Sequence, residues 1–101
     1  MERSKLKIYK VGFTPIHANG RIGVSSDVLV IAYSEDQAKK LLRDWMVIRR
    51  KQNYFYEGIE KINKTSPEGK KALGNRWKSY EERFEAQCNY IYRRYPYEDI
   101  S

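Results

Sequence analysis

The chain has little of what builds most enzyme sites. It holds one cysteine, Cys88, and one histidine, His17, in 101 residues. A single cysteine excludes an internal disulfide and fits a reducing compartment. One Cys and one His cannot close a structural zinc site, so neither metal nor cofactor is expected. A Cys/His nucleophile needs the two to meet in space. Cys88 lies on an apolar helical stripe, where an inert core thiol is expected. His17 lies in a loop, with nothing beside it in sequence to complete a general-base site. No run approaches the roughly 20 apolar residues that span a bilayer. The N-terminus is charged and runs into a strand pattern, unlike an apolar signal region. A cytoplasmic protein with no membrane partner is expected.

Phosphate-loop chemistry is also missing. Gly20-Arg21-Ile22-Gly23 lacks the further glycine, and no helix follows directly. The acidic pairs Glu35-Asp36, Glu81-Glu82 and Glu98-Asp99 fall on expected exposed helix positions or in the tail. A metal-dependent nuclease needs carboxylates that converge on a cleft. The reading is therefore of a protein that is not an enzyme. A small ribonuclease toxin is the remaining catalytic alternative, since its Arg, Lys, Tyr and His are all present.

What the chain has in excess is positive charge and tyrosine. Its net charge is +7, and nine residues are Tyr. A basic balance favours acidic partners, whether nucleic acid or an acidic protein face. The excess is spread as +3, +2 and +2 over residues 1–33, 34–58 and 59–101, so no basic arm stands out.

Periodicity places the elements. Lys5 to Thr14 reads as a strand, with Leu6 and Ile8 facing one way and Tyr9, Val11 and Phe13 the other. Asn19-Gly20 marks a turn. A second strand follows over Arg21–Val24 and Val28–Tyr33, with a bulge or kink at Ser25–Asp27. Val28 to Ala32 is apolar on both faces and reads as the most buried strand.

Ser34 and Gln37 form a capping box that opens a helix. Its apolar face is Ala38, Leu41, Leu42, Trp45, Ile48 and Gln52. Glu35/Lys39 and Asp36/Lys40 are spaced as i,i+4 pairs. This helix is expected to run to Tyr56 and stop at Gly58. Ile59 and Ile62 suggest a further turn. Ser66-Pro67 opens a second helix. Leu73, Trp77, Tyr80, Phe84, Cys88, Ile91 and Tyr95 continue it as one stripe to Pro96. Gly74 is expected to fray its first turns.

The expected fold is a single α+β domain over residues 1–101: a β-hairpin followed by two antiparallel amphipathic helices (ββαα). An uncovered edge strand could recruit another strand, so a homodimer is open.

Two clusters pair cations with aromatics. The first is Arg49, Arg50 and Lys51 with Tyr54 and Tyr56. The second is Tyr90, Arg93, Arg94 and Tyr97. Exposed Tyr and Arg suit protein-interface hot spots. The same residues suit phosphates and unpaired bases. Lys5, Lys7 and Lys10, with Arg3, form a third patch, read first as protection of an edge strand. Seven carboxylates from Glu60 onwards interrupt any continuous phosphate-tracking stripe. The partner expected is therefore a protein or nucleoprotein with an acidic surface. Direct, sequence-independent nucleic-acid binding is the alternative.

In size and composition the chain resembles small orphan proteins of bacteriophages and mobile elements. Many of these inhibit host defence, including anti-CRISPR proteins that bind Cas effectors. That resemblance implies a stoichiometric inhibitor or adaptor of a nucleic-acid-handling complex, with a Cas effector as the specific candidate. It rests on no motif and carries over no residue.

Overall fold

The computed structural model describes residues 4–92. They form a small α+β domain with a three-stranded antiparallel sheet and three α-helices. The elements are β1 (Lys7–Ile16), β2 (Ser26–Ala32), α1 (Glu35–Asp44), a π-helical segment (Trp45–Arg50), β3 (Asn53–Ile62), α2 (Pro67–Leu73) and α3 (Tyr80–Tyr92). The sheet order is β2-β1-β3.

The opening hairpin forms as its pattern requires. Lys7 pairs with Ala32 and the ladder runs to Phe13 opposite Ser26. Gly20 donates to the His17 carbonyl in the turn. The alternation along β1 sorts its side chains onto two cores. Tyr9, Val11 and Phe13 join Val30, Leu41, Leu42, Met46, Cys88 and Ile91 on one face. Leu6 and Ile8 join Ile31 and Ile62 on the other, against Ala72 and Tyr80.

Several expectations change. The segment after Lys51 is not helix but strand. β3 pairs with the far side of β1, from Ile8 opposite Ile62 to Ile16 opposite Asn53. The third strand thus comes from the chain itself, and β1 rather than β2 is central. Lys7 and Lys10 are then not edge lysines, and Lys10 reaches Glu68 of α2 at 3.0 Å. Residues 21–24 make only one isolated bridge, Ile22 to Ile16. A register shift falls at Gly12/Phe13 against β3, and the pairing with β1 also breaks between Ile22 and Ser26, where the kink is expected to begin.

The long C-terminal helix is also two helices. Both serines cap as expected: Ser34 Oγ accepts from Gln37 N, and Ser66 Oγ accepts from Gly69 N. Gly74 ends α2 at φ 70°, a backbone region that side chains disfavour. The stripe survives in α3, where Cys88 and Ile91 are buried and Phe84 packs against both cores. Tyr95 lies outside the described residues. The expected Glu35/Lys39 and Asp36/Lys40 pairs are not among the ion pairs of the described residues. Lys40 turns the other way, to Asp44.

Asp44 ties α1 to α3. Its carboxylate accepts from Lys40 Nζ at 2.7 Å and from the Tyr92 hydroxyl. Burial pushes the carboxyl up. The hydrogen bonds from Lys40 and Tyr92, with the charges of Lys40 and Arg43, outweigh burial and hold it below its ordinary value. A depressed folded pKa gives stability that is present above the unfolded value near 3.9 and lost as pH falls through the folded one. Asp44→Asn is expected to cost about 1–3 kcal/mol at pH 7. Urea midpoints of both proteins should converge as pH falls through the folded pKa of Asp44. A gap that persists undiminished there would mean that Asp44 acts by packing alone.

Candidate functional site

The first sequence cluster divides over three places. Arg49 and Arg50 end the π-helical segment. The Arg49 guanidinium lies 4.5 Å from the ring centre of Tyr90 on α3. Arg50 lies 5.2 Å from that of Trp45. The fold therefore joins Arg49 to Tyr90, which sequence placed in separate clusters. Lys51 turns the chain out of the helix with φ 52°, a left-handed backbone rare for a side-chain-bearing residue. It is exposed beside the loop of His17. Tyr54 and Tyr56 leave on β3. Tyr54 is half-buried, edge-on to Phe13 at 6.4 Å, and burial raises its pKa. Tyr56 is exposed beneath Lys39 at 5.0 Å. Arg93, Arg94 and Tyr97 lie outside the described residues.

Beside Tyr90 the surface opens into a groove of about 430 Å³ between β2, α1 and α3. Val30, Leu41, Leu42 and Ile91 are buried beneath it, and Trp45, Trp77 and Tyr90 supply its aromatic walls. Arg76 and Arg83 complete the lining. Arg76 also sits 5.6 Å from the ring centre of Trp77. These four residues escaped the sequence reading. Trp45 and Trp77 were assigned to core stripes, and Arg76 and Arg83 belong to no cluster in the chain. Only the break at Gly74, which detaches Arg76 and Trp77 from a helix, brings them to one rim.

The electrostatics of the groove are one-sided. The ion pairs among the described residues are Lys10–Glu68, Lys40–Asp44 and Arg43–Asp44. Arg49, Arg50, Arg76 and Arg83 have no carboxylate within ion-pair distance there. Arg83 is half-buried, and desolvation lowers its pKa. The Nη1 atom of Arg49 is buried with no hydrogen-bond partner. Cations over aromatic faces are stabilised in part by the ring quadrupole. That stabilisation leaves their hydrogen-bond donors unused.

The rest of the molecule offers less. His17 bonds Gln52 at 3.2 Å, not a carboxylate. Cys88 lies on α3, within the core. The Thr14 and Ser25 hydroxyls share Glu57 at the sheet irregularity. No group of three or more His, Cys, Asp or Glu among the described residues is placed to hold a metal. No helix among them is long and apolar enough to cross a membrane. Comparison with protein-family models, with curated proteins and with solved structures finds no match to this chain.

Proposed function

We propose that this protein acts by stoichiometric, non-catalytic binding, as an inhibitor or adaptor of a nucleic-acid-handling protein with an acidic surface. A Cas effector is the specific candidate. One observation supports the reading most. Four arginines are grouped with three large aromatic rings, and none of the four has a carboxylate of its own within the described residues. Arg and large aromatics are the side chains that dominate interface energetics, because each buries much area and keeps a polar edge. A partner's carboxylates would supply the bidentate acceptors that these guanidinium groups lack.

Arg50 and Arg76 are both exposed, so their reversal should leave the fold intact. Arg50→Glu with Arg76→Glu is expected to weaken partner affinity by at least about 30-fold. The measurement starts from capture in a bacterial lysate after nuclease treatment, followed by titration of the isolated partner. Capture that vanishes with nuclease, together with a mobility shift that falls steeply with salt, would replace this reading with direct nucleic-acid binding. Unchanged affinity in the double variant would remove the arginine surface from the interface.

A further inference from the structure

The groove differs from a plain basic patch in having a floor. Val30, Leu41, Leu42 and Ile91 close it from below with aliphatic surface. The one side-chain amide in its lining is Gln87, and each of its polar atoms already holds one bond. Its Oε1 accepts from Ile31 N at 3.0 Å, and its Nε2 donates to Ile31 O at 2.8 Å. The four aliphatic side chains of the floor carry no polar atom to satisfy a ligand.

That decides between two kinds of guest. A nucleobase carries ring nitrogens and exocyclic groups along its edge. Set on the aliphatic floor, they would lose water and gain no side-chain partner from it, an unfavourable exchange. An apolar side chain loses nothing of the kind. Its burial against aliphatic and indole surface is favourable in proportion to the area removed from water. The rim sets the second requirement. Arg76 and Arg83 flank the opening, and Arg83 is half-buried with no carboxylate of this chain within reach among the described residues. A second copy is a poor guest, because a chain of net charge +7 brings repulsion to a cationic rim.

We infer that the groove between β2, α1 and α3 receives an apolar side chain from an acidic segment of a partner protein, with carboxylates beside that side chain bonding Arg83 and Arg76. The inference rests on the binding function proposed above and narrows it. The floor selects an anchor and the rim selects its neighbours. Neither alone defines the site.

Three short blocked peptides and one nucleotide test it by NMR titration of the full chain. Acetyl-Glu-Phe-Glu-amide is expected to shift the indole N–H signals of Trp45 and Trp77 and the amide of Ala86. Its dissociation constant should lie about tenfold below those of acetyl-Gln-Phe-Gln-amide and acetyl-Glu-Ala-Glu-amide. Arg83→Gln should remove the advantage of Glu-Phe-Glu over Gln-Phe-Gln. Ala86→Leu, which fills the groove, should remove its advantage over Glu-Ala-Glu. Should that variant not fold, the peptide series in the unaltered chain decides alone. Equal binding of Glu-Ala-Glu and Glu-Phe-Glu would overturn the anchor groove and leave the acid-binding surface standing. Tighter binding of AMP at the same signals would overturn both. No shift by any peptide at millimolar concentration would show that the groove takes no such segment.

Discussion

Replacing Gln87 with Ala is expected to destabilise the domain by about 2–4 kcal/mol, from two buried main-chain groups left unsatisfied. β2 is an edge strand, and its outer main-chain groups need partners. At Ile31 they find one side chain, which mimics the missing strand by both donating and accepting. Ile31 is 1% exposed, so water is not positioned to replace the amide. The loss should appear as a lower urea midpoint with an unchanged slope. Gln87→Glu gives a sharper version. The introduced carboxylate can accept from Ile31 N but opposes Ile31 O. Only its protonated form restores both bonds, so its folded pKa is raised. Its contribution is then present below the unfolded value near 4.3 and lost as pH rises through the folded one. That variant should regain stability on acidification relative to Gln87→Ala. A change under about 0.5 kcal/mol in Gln87→Ala, the range of an ordinary surface site, would show that this amide does not seal the edge.

The same amide shows what a sequence can and cannot declare. Signals that act within one turn or one strand were legible. Ser34 and Ser66 cap their helices, and β1 sorts Leu6 and Ile8 from Tyr9, Val11 and Phe13 onto opposite faces. The spacing of Tyr80, Phe84, Cys88 and Ile91 gave the buried face of α3. β3 was hidden because its entry is unmarked. The reversal occurs at Lys51 in a left-handed conformation, where Gly or Asn would have announced it. The run Tyr54-Phe55-Tyr56 with Ile59 and Ile62 was the available signal, since aromatic and β-branched residues favour strands. It was outweighed by an apparent continuation of the helical period. Gly74 in the sequence suggests fraying, while in the structure it ends the helix outright. The candidate site shows the same division. Arg49, Arg50 and Tyr90 stand out in the sequence because cations and aromatics adjoin there. Arg76, Arg83, Trp45 and Trp77 acquire their role only through contacts between distant segments, which no local pattern encodes.

Met46→Ala is expected to cost about 2–5 kcal/mol, while Ile48→Ala should cost less than about 1 kcal/mol. The order separates two accounts of residues 45–50. In an uninterrupted α-helix, Ile48 follows Leu41 by two turns and Trp45 by one, and shares their buried face. In the structure the backbone widens to π-helical turns after Asp44. Met46 is then fully buried, while Ile48 is 41% exposed. Met46 lies in the same core as Leu42, Cys88 and Ile91. Its removal leaves a cavity where strand, helix and π-segment meet. Thermal unfolding of the two single variants measures the ranking directly. A larger loss for Ile48→Ala would mean that the helix continues in the ordinary period. The ranking also bears on binding, because short π-helical insertions recur where a helix must present side chains for function. Arg49 and Arg50 follow Met46 in the same widened turn, one directed to Tyr90 and the other to Trp45. Met46 roots in the core the segment that carries both arginines. In Met46→Ala, the Tyr90 and Trp45 ring signals should lose their arginine-dependent shifts even at temperatures where the domain stays folded.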